Sequence, residues 1–368
     1  MKVLHVHSGN MWGGVETVLT TLFRNRAFSP SLLTEFAVCY EGKFSTLLVG
    51  EGAQLTLLNP ARVRRPDLIL SARRRLREVL KASRPDVVIV HSSWSRALFG
   101  SVVNAMEIPL VHWVHDALTG QHWLDRLSRR NQTHLMICNS RFVQKLVRDH
   151  QPLARTECCY YPITVGSEPR DAERRETLRH QLGISHGTVV LAQSSRFQSW
   201  KGHAAHVRAL AALKDLDVVS WFIGAAQNSE EGAYMEELKT LADDLGVAER
   251  IRWMGHRSDV PALLEACDIL CQPNESPEPF GIAFVEAMAA GVPVVTSAIG
   301  GAVEVVDDTC GVLVPAADHE ALSEALRSLV LSAETRRRLG SGGPHRASML
   351  CDVKSQMTRV QRLLESVV

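Results

Sequence analysis

Along nearly the whole chain, short apolar runs alternate with stretches whose apolar positions recur every three to four residues. Runs at 2–7, 33–39, 54–58, 87–91, 110–115 and 134–139 predict strands, and amphipathic helices are predicted between several of them, at 15–24, 68–82, 96–106 and 141–150. The rhythm breaks over 163–187, where Glu168-Pro169-Arg170-Asp171-Ala172-Glu173-Arg174-Arg175 is polar and charged and one helix is expected over 172–182. Such a segment reads as a linker and the entry to a second domain. Alternation then restarts, with strands predicted at 189–193, 218–223, 251–254, 269–272 and 293–296. Helices are predicted at 203–214, 231–245, 260–266 and 282–290, and two more close the chain at 320–331 and 354–367. Strand–helix alternation favours parallel sheets with helices on both faces. The expectation is therefore an α/β protein of two lobes, without a visible internal repeat. Ligands in such sheets bind beyond the carboxyl ends of the strands, so facing lobes would place a site in the cleft.

Composition narrows the function more than the fold. The 368 residues hold 41 Lys plus Arg against 40 Asp plus Glu, a formal net charge of +1, which is no signature of a nucleic-acid binder. The opening Met1-Lys2-Val3-Leu4-His5-Val6-His7 is too short and polar for a signal peptide. The longest apolar candidate, 280–295, is interrupted by Glu286, Gly281, Gly291 and Pro293, so no membrane span is expected. Eight scattered cysteines without a Cys-x-x-Cys pair read as reduced thiols, with no metal site. A cytoplasmic location follows from these readings. One local charge excess stands out: Arg62, Arg64, Arg65, Arg73, Arg74, Arg75, Arg77 and Lys81. It reads first as a solvated helix face, and otherwise suits peripheral contact with an anionic membrane, on the inner face, or an acidic acceptor.

Four motifs carry candidate chemistry. The richest is SPEPFGIAFVEAMAAGVPVVTSAIGG, residues 276–301. Gly281 there would let backbone pass close to a ligand, and a helix start would offer free N–H groups to phosphate. Glu278 and Glu286, eight positions apart, face one ligand if the first precedes the helix and the second lies inside it; alternatively Glu286 only solvates a helix surface. The second motif is Arg196-Phe197-Gln198-Ser199-Trp200-Lys201-Gly202-His203, after a predicted strand. Its two cations suit a diphosphate, or else form a solvated basic loop. Gly13-Gly14-Val15-Glu16 is a glycine turn after the first strand, open to phosphate approach or merely tight. His115, ending a strand before Asp116, suits a proton shuttle or a structural hydrogen bond. Trp94 and Trp113 read as acceptor-pocket or core residues.

PEPFGIAFVEAMAAGVPVV resembles the signature of the retaining glycosyltransferases of family 4, the GT-B class often called glycosyl transferases group 1. The resemblance implies that Glu286 binds the nucleotide ribose, that Glu278 sits beside the donor sugar, and that the backbone at Phe280, Gly281 and Ile282 meets sugar and phosphate. Gly300-Gly301 and Glu304 continue the pattern. SRFQSWKG is similar to the family's Arg…Lys-Gly loop, which implies that Arg196 and Lys201 neutralise the leaving diphosphate; Ser195 stands where the family often has glycine. By the same resemblance Gly13 and Gly14 close over the donor phosphates, His115 lies near the donor sugar, and Arg257 sits where the nucleobase is met.

The resemblance implies a GT-B fold, two Rossmann-like parallel-sheet domains facing across a cleft. Residues 1–165 would form the acceptor-binding domain, with a C-terminal helix of about 345–368 packing back on it, and 166–344 the donor-binding domain. It further implies retaining transfer from a nucleotide-diphosphate sugar, UDP or GDP, to a hydroxyl on a sugar, a lipid-linked or a small-molecule acceptor, in carbohydrate biosynthesis, with no metal and no other cofactor. Three other readings compete: a sugar-nucleotide epimerase on the same fold, a phosphorylase with a lysine-bound cofactor, and a non-catalytic GT-B binding protein.

Overall fold

The computed structural model describes all residues except 10, 63, 119 and 165–171. The chain divides into two compact units, one of residues 1–162 and 353–368, the other of residues 163–352. The expected boundary at 165/166 lies outside the described residues.

Unit 1 is built on a sheet of seven strands, β1 (Lys2–His7), β2 (Leu33–Val38), β3 (Gln54–Leu57), β4 (Val87–Val90), β5 (Leu110–Val114), β6 (Leu135–Cys138) and β7 (Thr156–Cys158). Their order is β3-β2-β1-β4-β5-β6-β7. All pairs are parallel, with Lys2 to His7 in register against Leu33 to Val38. Central strands buried on both faces need continuous apolar runs, and Val87, Val88, Ile89 and Val90 are all inaccessible. Helix Pro66–Ser83 begins at a proline in its first turn, two residues before its apolar period starts. It buries Ala72, Leu76, Val79 and Leu80 against the sheet. Part of the arginine cluster occupies its outer side: Arg74, Arg75 and Arg77 are exposed, and Arg74 and Arg75 pair with Glu78, whereas Arg73 is half-buried and donates to the Leu98 carbonyl, and Arg65, ahead of the helix, pairs with Asp67.

Unit 2 carries six parallel strands, β8 (Val189–Ser194), β9 (Val218–Ile223), β10 (Ile251–Gly255), β11 (Ile269–Gln272), β12 (Val294–Ser297) and β13 (Gly311–Val314). The order is β10-β9-β8-β11-β12-β13, which reverses direction between β8 and β11. Such a switch point opens a crevice at the strands' carboxyl ends. Beneath it, Leu191, Phe222, Ile269, Cys271, Val295 and Leu326 belong to one core.

The last part of the chain departs from the expected single helix over 345–368. Helix Ala333–Cys351 runs through Pro344 and belongs to unit 2, and a separate helix, Val353–Glu365, belongs to unit 1. The latter buries Met357, Val360 and Leu364, and its Met357 carbonyl accepts a hydrogen bond from Ser29 Oγ at 3.1 Å. Among the described residues, no helix is long and apolar enough to cross a membrane.

Candidate donor site at the carboxyl edge of the second sheet

The loop after β8 is fixed from below. Gln193, fully buried on β8, donates through Nε2 to the Lys201 carbonyl at 2.9 Å, and its Oε1 lies 3.0 Å from His206 Nδ1. Burial holds the His206 imidazole down at about 4, so it stays neutral. Ser199–Lys201 forms one 3-10 turn, closed by Gly202 at φ +75. A Cβ at Gly202 would sit 1.8 Å from the Pro273 carbonyl oxygen, so only glycine lets this loop rest against the one after β11.

That close approach brings Lys201 onto Glu278. The two are 77 positions apart, and Nζ donates to Glu278 Oε2 at 2.6 Å. The ammonium also lies 4.0 Å from the centre of the Trp200 ring, a cation–π arrangement. Two further donors reach the same carboxylate oxygen, Asn274 Nδ2 at 3.2 Å and Gln272 Nε2 at 3.4 Å. Neither Asn274 nor Gln272 stood out in the sequence, because a buried amide in a loop has no periodic signal. Glu278 is 7% exposed, a burial a carboxylate tolerates only with such partners. Its main chain is gripped by the glycine pair: Gly301 N donates to the Glu278 carbonyl at 2.6 Å, and a Cβ at Gly300 would lie 2.5 Å from the same oxygen.

Gly281, at φ +96, caps the helix Ile282–Ala289. Its place leaves the first N–H groups of that helix at the loop carrying Glu278, an arrangement suited to an anion. Phe280 is buried and Ile282 is half-buried. Glu286 projects from the same helix between buried Val285 and Ala287. Its carboxylate makes no hydrogen bond or ion pair among the described residues, and burial pushes it up to about 7.

Arg196, next to the end of β8, does not contact Glu278. Its Nη2 donates instead to Oε1 of Glu231, on helix Ser229–Asp244. Arg257 is engaged in a two-pronged pair with Asp259, at 2.8 and 2.6 Å, on the surface. Each cation thus already has an acidic partner, so the loop is not the bare positive patch its sequence suggests.

In unit 1, Gly13 caps helix Gly14–Arg24 in an extended conformation open to any residue, and Glu16 turns inward to accept from His7 Nε2 at 2.6 Å. His115 is part of a buried chain running along the sheet's carboxyl edge. His5 Nδ1 lies 2.8 Å from His91 Nε2, His91 Nδ1 lies 3.0 Å from His115 Nε2, and His115 Nδ1 lies 2.5 Å from the Tyr161 hydroxyl. Asn139 donates to that hydroxyl at 2.9 Å. Burial lowers His5 and His115 to about 3, so the rings are neutral. Both ring nitrogens of His115 are therefore committed to protein partners, which argues against the proton shuttle expected there. Trp113 is fully buried beside His115, and Trp94 packs edge-on against Phe99, so both serve the core.

Two parallel sheets of this build are the architecture of the GT-B glycosyltransferases, a class that the similar proteins share. Residues 174–346 match the family described as glycosyl transferases group 1, and residues 12–165 match glycosyltransferase family 4. The chain belongs to this family. Among relatives, it is 34% identical over 177 residues to a D-inositol 3-phosphate glycosyltransferase of Corynebacterium glutamicum, which takes in 47% of this chain and 42% of that protein. With the enzyme of the same name from Corynebacterium jeikeium it shares 27% identity over 288 residues, 71% of this chain and 68% of the relative. The chain therefore aligns with less than half the length of the first relative. Its fold is that of Anabaena Alr3699/HepE, solved in complex with UDP and glucose, at a TM-score of 0.87 and 24% identity over the whole of both chains. WaaG, a glycosyltransferase involved in lipopolysaccharide biosynthesis, shares it at a TM-score of 0.75 and 18% identity over 99% of each chain.

Proposed function

We propose that the protein transfers a sugar from a nucleotide-diphosphate sugar, UDP- or GDP-linked, to a hydroxyl acceptor, with unit 2 binding the donor and unit 1 the acceptor. The observation that carries this reading is the Lys201–Glu278 pair, assembled from two loops at the carboxyl edge of one sheet beside a glycine-capped helix start. Charge develops on the leaving diphosphate as the glycosidic bond breaks. Lys201, Arg196 and the N–H groups after Gly281 are preorganised to meet it, which is where electrostatic catalysis gains most. Glu278, held on one oxygen by three donors, faces the sugar with its position fixed. Glu286 offers an unpaired carboxylate to the ribose hydroxyls. The main chain at Arg257 completes the assignment, as the base contact. Retention follows a front-face course, in which the departing diphosphate takes the acceptor's proton and no protein nucleophile is used. His115 is assigned a structural place beneath the acceptor side.

A thermal-shift panel of UDP, GDP and their sugar conjugates on wild type and Lys201→Ala tests the donor site. One nucleotide should stabilise the wild type, and the variant should lose most of that shift, in keeping with a drop in affinity of about tenfold or more. Equal shifts in both proteins, or none in the wild type, remove the assignment. D-inositol 3-phosphate, the acceptor in the relatives' name, is the first compound for an acceptor panel.

A further inference from the structure

We infer that Glu231 is a positioning residue that holds the Arg196 guanidinium in place for the diphosphate of the donor, an inference that rests on the donor-site reading above. Glu231 stands at the third position of helix Ser229–Asp244, after the capping Asn228, whose Oδ1 accepts from Glu231 N at 2.9 Å. An acidic residue three positions after Asn is a common helix start, and by sequence alone it explains itself as a cap. The structure shows a different use. Oε2 accepts from Gln227 N at 2.8 Å, outside the helix, and Oε1 takes Arg196 Nη2 from the loop after β8.

The burial is unequal across the pair. The Glu231 side chain is 4% exposed, and that of Arg196 is 24% exposed. The carboxylate is thus the inner, fixed member and the guanidinium the outer one. A carboxylate buried this deeply requires its counter-charge, so the pair forms on folding and before any ligand arrives. A guanidinium carries five N–H donors, and the bond to Glu231 uses one on Nη2. The rotamer freedom of Arg196 is given up in the folded protein and need not be given up when the diphosphate binds.

The neighbouring backbone keeps the two loops together. Ser195 N donates to the Ile223 carbonyl at 3.1 Å, and Gly224 N donates to the Gly255 carbonyl at 3.0 Å. A Cβ at Gly224 would lie 2.1 Å from the Ser195 carbonyl oxygen. The ends of β8, β9 and β10 are stitched at the level of Arg196, so a shift of Glu231 is transmitted to it directly.

A double-mutant cycle on nucleotide binding tests the inference. Dissociation constants are measured by calorimetry for whichever of UDP, GDP and ADP binds the wild type, in the wild type, Glu231→Ala, Arg196→Ala and the double variant. Glu231→Ala should weaken binding by about tenfold, and the double variant should bind no more weakly than Arg196→Ala, because Glu231 acts through the arginine. Glu231→Asp, which keeps the charge, should recover part of the loss. Should Glu231→Ala fail to fold, Glu231→Gln takes its place in the cycle. Losses that multiply in the double variant overturn the inference, as does full affinity in Glu231→Ala. Failure of the wild type to bind any of the three nucleotides overturns the donor-site reading itself, and this inference with it.

Discussion

Glu286 is the residue whose surroundings have the clearest measurable consequence. Its carboxyl is raised from the ordinary 4.5 to about 7 by burial, with no cation to offset it. In the unfolded chain the group ionises near its ordinary value, while the folded protein keeps it protonated until about pH 7. Its contribution to stability is therefore fully present below about pH 4.5 and is lost as the pH rises through 7. Glu286→Gln removes the ionisation without changing the shape. Denaturant unfolding should find the variant more stable than wild type at pH 8, by on the order of 2 kcal/mol, and nearly equal at pH 4.5. The same gain at both pH values would show that ionisation is not the cause. Ribose hydroxyls donating to this carboxylate would favour its charged form, which gives the raised value a functional sense. That the two glutamates face one ligand was an expectation from their spacing, beside a solvated helix face for Glu286; the bond between Glu278 and Lys201 was not legible at all, because it depends on two loops 77 residues apart in sequence.

Among the elements that sequence patterning leaves out, helix Ala333–Cys351 is the longest; the short helices Lys43–Gly50, Trp123–Ser128 and Ala302–Val305 escape it too. The middle of the long helix, Gly340-Ser341-Gly342-Gly343-Pro344, combines the two residues that most disfavour a helix. The packing explains why it forms. Ideal Cβ atoms at Gly340, Gly342 and Gly343 would lie 2.3, 2.2 and 2.6 Å from the carbonyl oxygens of Gly291, Thr309 and Met288. The glycines thus let the helix lie directly on the backbone of helix Ile282–Ala289, the turn after it and the loop before β13, and tertiary contact overrides local propensity. Gly343→Val would drive a side chain into Met288. It should cost about 2–4 kcal/mol of stability and, because Met288 shares its helix with Glu286, weaken nucleotide binding as well. Unfolding curves and nucleotide titration together check this, and an unaffected nucleotide affinity would separate the packing from the site. Strands β7 and β13 escaped the pattern for a simpler reason. Each is a short strand at the edge of its sheet, and its one parallel partner places it.

For the molecule as a whole, the chain passes between the units twice, at 162/163 and again at 352/353. The second crossing returns helix Val353–Glu365 to unit 1, where it covers Met357, Val360 and Leu364. Those three side chains bury enough apolar surface to contribute roughly 5 kcal/mol. Truncation after Asp352 should therefore raise hydrogen exchange across β1 and β2, the strands nearest Ser29, and leave the strands of unit 2 protected as before. Uniform protection in both units would mean that the helix contributes little to unit 1.

The sequence by itself determined the two α/β halves, the central strands and the residues of the donor motifs, because apolar period and glycine placement are local properties that survive without a fold. It also carried enough of the family's motifs to point to the class. Only the tertiary structure decided which side chains answer one another: Lys201 with Glu278, Arg196 with Glu231, and His115 with both His91 and Tyr161. Those pairings turn a basic loop into a charge-balanced site and a candidate proton shuttle into a locked ring. The physical reason is common to all three, since an ion pair or a hydrogen bond is set by distances of about 3 Å between segments far apart in the chain, and nothing in a linear pattern of polar and apolar residues encodes a distance between its far ends.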